Sequence, residues 1–168
     1  MAYQLEEIQR RIAGDPAGFI AECDSAFQRR LEDAADRILE RMKESPIVLL
    51  SGPSGSGKTT TAMKLEQELE RRGVQTHTIS LDNYFKTLDR RTAPRNAEGD
   101  IDYESPKLLD MDLLDETFTK LTRGEWVIVP KFEFARQMRN DSRGTPLKLG
   151  KNEIAIFEGI HALNDDIA

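Results

Sequence analysis

One short segment constrains the fold of this 168-residue chain more than any other feature of it. Residues 52–59 read Gly-Pro-Ser-Gly-Ser-Gly-Lys-Thr, a complete G-x-x-x-x-G-K-[ST] pattern. The apolar run Ile47–Leu50 before it is typical of a strand buried on both faces, and Lys58–Arg72 after it has the apolar spacing of a helix. A strand, a glycine-rich bend and a helix in this order predict an α/β fold.

The residue types of this segment are the ones that a bound phosphate requires. Glycines let consecutive backbone N–H groups curve around an anion, and the helix that begins near Lys58 directs its positive end at the same oxygens. Lys58 adds a charge at the outer phosphates, and Thr59 offers a hydroxyl to Mg²⁺. We therefore predict that this loop binds a nucleotide together with Mg²⁺. The predicted nucleotide-binding residues are Gly52, Pro53, Ser54, Gly55, Ser56, Gly57, Lys58, Thr59 and Thr60.

Further along the chain, strand patterns alternate with helical ones. The runs Val74–Ser80, Trp126–Val129 and Ile154–Phe157 are predicted strands, and a helix is predicted from Ser105 and Pro106 to Gly124. This alternation predicts a three-layer, P-loop NTPase-type parallel sheet with helices on both faces. A polar turn over residues 140–144 predicts a hairpin between Phe132 and Leu149.

Residues 1–45 form a separate helical extension, and residues 46–168 form the core. Asp15 followed by Pro16 is a helix start, and apolar residues then recur every three or four positions. This stripe consists of Ile20, Cys23, Phe27, Leu31, Ala34, Ala35, Ile38 and Met42. The helix either packs on its own domain or serves as a docking surface for another chain, including a second copy of this one.

Composition excludes several classes of protein. The net charge of −6 and the isoelectric point near 5.1 disfavour a nucleic-acid partner. No apolar run approaches the roughly 20 residues that span a bilayer, and the acidic, polar N-terminus is unlike a signal peptide. The single Cys23 cannot form an intramolecular disulfide, so we expect a cytoplasmic protein. From the charge and the short apolar runs, we expect that it binds neither nucleic acid nor membrane.

Two acidic residues follow predicted strands. Asp82 comes after the second strand, where a carboxylate could accept a hydroxyl proton or hold a metal; the alternative is that Asp82 caps its own turn. Glu158 ends the strand Ile154–Phe157, which is the pattern of a Walker B strand. Asp102 and Glu104 precede a predicted helix and can complement its N-terminal dipole. His161 follows Glu158 closely and could face the same site, whereas His77 is assigned a structural role.

Together these motifs resemble the uridine kinase/phosphoribulokinase family of P-loop kinases. The matching segments occur in family order between about residues 46 and 164. They are residues 52–60, the Asp-Asn-Tyr-Phe segment 82–85, Glu104 to Pro106 with Asp110, residues 129–134 with Arg139, and residues 158–163.

The resemblance implies ATP and Mg²⁺ as cofactors and assigns roles to the site residues. Asp82 and Lys58 are the implied catalytic residues, with Asp82 as the general base toward a substrate hydroxyl. Thr59, Asp82 and Glu158 are the implied Mg²⁺ ligands. The implied contacts to a small-molecule hydroxyl acceptor, nucleoside-like or sugar-like, are Tyr84, Glu104, Phe132 and Gln137.

The sequence departs from the family at several points. Phe132 and Gln137 stand where nucleoside kinases of the family have a Tyr and a His, and Glu104 stands in place of an Asp. The family also has a lid with transition-state arginines after the Glu-Gly-Ile segment, but Lys151 is the only Lys or Arg after position 150. We therefore expect the core to be truncated before the lid, and this chain alone to bind nucleotide but turn over poorly.

Two other functions remain open. One is a different small-molecule P-loop kinase, for example one similar to adenylylsulfate kinase. The other is an ATP-binding sensing module with little turnover, in which nucleotide changes docking through the N-terminal helices. A GTPase switch is disfavoured because no Asn-Lys-x-Asp motif, which would bind the base, occurs in the sequence.

Overall fold

The computed structural model describes residues 3–167. Met1 and Ala2 of the predicted extension 1–45 and Ala168 of the predicted core 46–168 lie outside the described residues. The helices are α1 (Leu5–Gly14), α2 (Pro16–Arg41), α3 (Lys58–Arg71) and α4 (Met111–Thr122). The strands are β1 (Ile47–Leu50), β2 (Gln75–Ser80), β3 (Val127–Val129), β4 (Phe132–Glu133), β5 (Met138–Arg139), β6 (Thr145–Leu147) and β7 (Glu153–Glu158). Between residues 3 and 167 no helix is both long and apolar enough to cross a membrane.

The centre of the fold is a parallel sheet in the order β1-β7-β2. Helix α4 packs on one face of β7 through Phe118, whose ring meets that of Phe157 edge to face at 4.8 Å. Helices α2 and α3 cover the other face, where Leu31 and Leu69 pack with Ile156. The three layers of helix, sheet and helix confirm the predicted α/β architecture.

The strand register positions the functional edge of this sheet. Leu50, Glu158 and Ser80 are register partners across β1, β7 and β2. All three strands therefore end at the same level, and the segments that follow them emerge side by side. The phosphate loop follows β1, and Asp82 follows β2.

Helix α4 begins later than the sequence pattern predicts. The Asp110 carboxylate accepts a hydrogen bond from the Leu113 N–H at 3.4 Å and thereby caps the helix at Met111. Residues Pro106–Leu108 form a separate 3₁₀ turn, and Leu109 between the two segments is extended. The predicted helix start at Ser105 and Pro106 is therefore wrong, because a local cap closer to the apolar stripe begins the helix instead.

The third predicted strand does not join the parallel sheet. Strand β3 pairs antiparallel with β6 in a sheet of two strands, and Trp126 beside it is 65% exposed. The predicted hairpin over residues 140–144 is also wrong: the chain reverses at Phe134–Arg136, where β4 pairs with β5. The turn Asp141–Arg143 instead leads from β5 to β6, and β6 pairs with the distant β3 rather than with β5.

The C-terminal half of α2 belongs to the hydrophobic core. Leu31 and Ala35 are buried in a cluster with α3 and β7, and Asp36 forms an ion pair with Arg72 at the end of α3. In contrast, Ile20 in the N-terminal half is 60% exposed, although it lies on the predicted apolar stripe. Of the two alternatives for this helix, its own domain therefore covers the C-terminal half.

This packing makes a testable prediction about stability. Ala35 has no exposed surface, so Ala35→Asp would bury a carboxylate among apolar side chains and lower the free energy of unfolding by on the order of 3 kcal/mol. The matched control is Ala21→Asp, since Ala21 is exposed on the same helix. Urea unfolding of both variants measures the difference. Equal midpoints would contradict the packing of α2 on the core.

Candidate nucleotide and acceptor site

The loop between β1 and α3 has the backbone conformation that its glycines predict. Gly55 and Gly57 have positive φ angles of 73° and 85°, a left-handed conformation that residues with a side chain rarely adopt. Gly57 is the N-cap of α3, and its carbonyl accepts from the Thr61 N–H at 2.8 Å. A Cβ atom at Gly52 would lie 2.7 Å from the Ser56 hydroxyl oxygen. The compact bend of this loop therefore requires glycine at these three positions.

The predicted nucleotide-binding residues lie together around this bend. Lys58 is partly buried and its amino group donates to the Pro53 carbonyl at 3.0 Å, so its charge is held over the loop. Thr59 and Thr60 are exposed in the first turn of α3, as are Pro53 to Gly57 in the loop. Left-handed glycines, a helix N-terminus and a lysine at one bend fit a phosphate chain.

Asp82 lies next to this bend, in the 3₁₀ turn Leu81–Tyr84 that follows β2. Burial raises the pKa of the Asp82 carboxyl, and electrostatic interactions with the nearby Lys58 and His161 side chains oppose this shift. The turn is capped by Ser80, whose hydroxyl oxygen accepts from the Asp82 N–H at 3.3 Å. Because Ser80 performs the capping that was the alternative for Asp82, the carboxylate is left available to a ligand.

Glu158 lies between the phosphate loop and Asp82, at the end of the central strand. The chain after it remains against β1: the Gly159 N–H donates to Leu50 O at 3.1 Å and the Ser51 hydroxyl donates to Ile160 O at 2.9 Å. A Cβ atom at Gly159 would lie 2.9 Å from Cβ of Leu81, so glycine allows the two loops to approach. The register and these contacts place both carboxylates at one sheet edge.

The donor set at this edge fits Mg²⁺. Thr59 contributes a hydroxyl, and Asp82 and Glu158 contribute carboxylates, which are hard oxygen ligands of the kind that Mg²⁺ uses together with substrate phosphates. A cluster of three or more His, Cys, Asp or Glu side chains suited to a metal is absent from residues 3–167.

A cavity of about 590 Å³ opens beside the phosphate loop. Its lining residues are Ser51, Gly52, Pro53, Ser54, Glu104, Ile160 and His161. Glu104, which was predicted to contact the acceptor, thus lies beside the phosphate loop. His161 lines this cavity, as the sequence analysis allowed. Its buried Nε2 atom has no hydrogen-bond partner in the part of the chain that the structure describes.

A second cavity, of about 230 Å³, lies beyond the Asp82 turn. Its lining residues are Phe85, Lys86, Leu88, Tyr103, Leu108, Phe132, Phe134 and Gln137. Phe132 and Gln137 therefore lie where a second substrate could bind. We refer to this space as the aromatic cavity.

Tyr84 does not contact the aromatic cavity, contrary to the sequence-based expectation. It is fully buried in the core against Phe157, with ring centroids 6.1 Å apart, and burial raises the pKa of Tyr84 to about 12. The neighbouring Phe85 lines the cavity in its place. Two aromatic residues in sequence carry the same apolar signal, so only the direction of the 3₁₀ turn decides which of them faces the cavity.

Polar contacts connect the β4–β5 hairpin, which forms one wall of this cavity, to the Asp82 loop. The Phe132 N–H donates to Asn83 Oδ1 at 3.3 Å, and the Leu88 N–H donates to the Gln137 carbonyl at 3.0 Å. Arg139 of the hairpin pairs with Asp110 at 2.6 Å. The wall of the aromatic cavity is thus hydrogen-bonded to Asn83, the residue that follows Asp82.

Comparisons with known proteins agree with this geometry. Residues 47–167 match the model of the Phosphoribulokinase / Uridine kinase family. A uridine kinase from Schizosaccharomyces pombe is 35% identical over 117 residues, which cover 70% of this chain and 25% of that protein. A uridine kinase from Staphylococcus aureus strain JH9 is 32% identical over 126 residues, which cover 75% of this chain and 58% of that protein.

This chain therefore spans between a quarter and about three fifths of the length of these two relatives. Among solved structures, a putative fructose transport system kinase from Silicibacter sp. TM1040 superposes with a TM-score of 0.58 and 26% identity. The superposition covers 77% of this chain and 62% of that protein.

Proposed function

This chain belongs to the phosphoribulokinase/uridine kinase family, and from that membership and its site we propose that it transfers the γ-phosphoryl group of ATP to a hydroxyl of a small molecule. One observation carries the proposal. The phosphate loop, Asp82 and Glu158 meet at one edge of the parallel sheet, next to a cavity of about 230 Å³ that is large enough for part of a second substrate.

The transfer needs alignment, neutralisation of charge and a proton acceptor. In the proposed reaction the acceptor hydroxyl gives its proton to the Asp82 carboxylate, and its oxygen attacks the γ-phosphorus. The bond from the γ-phosphorus to the bridging oxygen breaks, and ADP leaves with that oxygen. Lys58 and the loop N–H groups bind the phosphate oxygens and keep the phosphorus in line with the acceptor.

Thr59, Asp82 and Glu158 would hold the metal. Mg²⁺ bound with ATP supplies further neutralisation of charge on the phosphate oxygens. Because burial makes the Asp82 carboxyl a stronger base than an exposed aspartate, the protein environment itself favours proton acceptance there. The positive charge of Lys58 opposes this rise in the pKa of Asp82.

We propose a nucleoside-like or sugar-like hydroxyl compound as the acceptor. The curated relatives are uridine kinases, and the superposed structure is named a putative fructose transport system kinase. In this chain, Phe132 and Gln137 line the acceptor side, while Glu104 lies beside the phosphate loop where it could bind a hydroxyl next to the reacting one.

A panel of nucleosides, sugars and other alcohols tests the proposed function. We expect ADP release in the presence of ATP and Mg²⁺ to rise severalfold with at least one acceptor, and a phosphorylated product to be detected by mass spectrometry. The control is the same reaction without acceptor. If ATP stabilises the protein but no acceptor raises ADP release, the kinase proposal is contradicted and the sensing module is favoured.

A further inference from the structure

Helix α2 extends past the parallel sheet at its N-terminal end. The helix lies outside residues 47–167, which match the family model, so membership of the family implies no function for it. Ile20, Phe27 and Leu31 are spaced so that they share one face of the helix. Leu31 is buried against the sheet, whereas Ile20 is 60% exposed. The face that covers the sheet at Leu31 therefore continues beyond it, exposed, at Ile20.

Two contacts with α3 show how far along the molecule Ile20 lies. Asp36 pairs with Arg72, and Lys64 Nζ lies over the ring of Phe27, 4.9 Å from its centroid. Because both contacts join residues in the same order, α2 and α3 run in the same direction. At about 1.5 Å per residue, Ile20 lies roughly 10 Å above the contact at Phe27, and the first residue of α3 lies roughly 9 Å above Lys64. Ile20 is therefore level with the phosphate loop.

Helix α2 lies on the side of the sheet that is opposite the acceptor. The sheet has the order β1-β7-β2, and the Asp82 turn and the first wall of the aromatic cavity follow β2. Helix α3 packs on β2 and β7, whereas Val48 and Leu50 of β1 pack in the cluster that contains Leu31 and Ala35 of α2. A triphosphate that directs its γ-phosphate towards Asp82 therefore directs its ribose and base away from β2 and towards α2.

The exposed face of α2 offers contacts that suit an uncharged ring with an amino group. Ile20 presents an apolar side chain, and Ala17, one turn before it, is small and exposed. Asp24, one turn after it, is also exposed, and its carboxylate accepts hydrogen bonds but cannot donate them. The nearby charge from α3 is Lys64, whose amino group lies over Phe27, one turn further on. Asp24 repels an anionic group, but the amino group of adenine can donate to it.

From these observations we infer that the face of α2 around Ile20 binds the base of ATP, with Ile20 against the ring and Asp24 accepting a hydrogen bond from the amino group. The inference rests on the proposed function for the position of the triphosphate. Contact between Ile20 and the base removes apolar surface of both from water, which favours binding. Helix α2 thus contributes to nucleotide binding from outside residues 47–167.

Comparison of ATP with inorganic triphosphate isolates the contribution of the base, because only ATP carries one. Isothermal titration calorimetry with the full chain and Mg²⁺ measures the dissociation constant of each ligand. Ile20→Ala shortens the side chain and remains compatible with the helix, so ATP should bind about fivefold more weakly through loss of apolar contact, with triphosphate unchanged. Ile20→Phe provides a ring on which a base can stack, so it should bind ATP severalfold more tightly, again with triphosphate unchanged.

Purine riboside triphosphate tests the role of Asp24, because its base is adenine without the amino group. It should bind about tenfold more weakly than ATP, as the loss of one hydrogen bond to a charged group allows. Asp24→Ala should abolish this difference, and a difference that persists in Asp24→Ala would exclude the assignment of Asp24. The matched control is Ile128→Ala, since Ile128 on β3 is 56% exposed and lies outside the inferred site. It should leave the binding of all three ligands unchanged.

The outcomes distinguish this inference from the proposed function. If the preference for ATP over triphosphate is the same in the wild type, Ile20→Ala and Ile20→Phe, the inference is overturned, and phosphorylation of an acceptor would still support the kinase proposal. If Ile20→Ala changes the sedimentation of the chain but not its binding of ATP, a second copy covers this face and the inference is also overturned. If the expected changes in ATP binding occur but no acceptor is phosphorylated, the base site is supported and the kinase proposal fails.

Discussion

Replacing Asp82 by asparagine is expected to lower the rate of acceptor phosphorylation by at least about a hundredfold, the lower end of what a positioned general base contributes. Asparagine has the same shape but cannot accept the proton of the acceptor hydroxyl. ATP binding should remain, because the phosphate loop and Lys58 are unchanged. Steady-state ADP release with the best acceptor of the panel measures the rate, and thermal stabilisation by ATP measures binding.

Asp115→Asn is the matched control, since Asp115 is exposed on α4. It should leave both rate and binding unchanged. Comparable rates in the Asp82→Asn and Asp115→Asn proteins would exclude Asp82 as the base.

The same assignment predicts the direction of the pH dependence. Burial raises the pKa of Asp82, and only the deprotonated carboxylate can take the proton. In the protein without ATP and Mg²⁺, the Asp82 carboxyl should therefore lose its proton at a higher pH than an exposed aspartate does, and an NMR titration of that carboxyl measures the difference. A carboxyl that titrates in the ordinary range of aspartate would contradict this environment.

Replacing Lys58 by alanine is expected to abolish the stabilisation of the protein by ATP. At an ATP concentration one hundred times the Kd, binding raises the melting temperature of a protein of this size by roughly 5–10 °C. Without the Lys58 charge beside the loop glycines, the same ATP concentration should no longer saturate the protein with ATP. Differential scanning fluorimetry with and without ATP and Mg²⁺ measures the shift.

Lys64→Ala removes the same charge from the exposed side of the same helix and should retain the full shift. A second readout concerns Asp82. Because the Lys58 charge lowers the pKa of Asp82 against the effect of burial, Lys58→Ala should raise it further. An unchanged ATP shift in Lys58→Ala would refute the assignment of the phosphate loop.

The phosphate-binding part of the candidate site was predictable because its residues are close together in the sequence. The loop from Gly52 to Thr60 contains its own glycines, charge and hydroxyls, and α3 begins in the structure at Lys58 as predicted. Asp82 and Glu158 were predictable from another general property, because the carboxyl ends of parallel strands meet at one edge of a sheet. These predictions needed no knowledge of side-chain direction.

The acceptor side was less predictable. Tyr84 and Phe85 are adjacent aromatic residues, and the 3₁₀ turn buries the first and directs the second to the aromatic cavity. Glu104 lies beside the phosphate loop rather than beside Phe132 because the loop before α4 returns to that edge. Neither outcome has a periodic pattern in the sequence.

The amino-acid sequence by itself determined the order of elements, the conformation of the glycine bend and the chemistry that this bend can bind. These properties depend on hydrogen bonds and sterics between residues a few positions apart. The tertiary structure alone decided that Val127–Val129 pairs with Thr145–Leu147, that half of α2 joins the core, and that Phe85 and Gln137 enclose a cavity. Those outcomes depend on which distant surfaces bury each other, and several pairings of the same apolar segments satisfy the local pattern equally well.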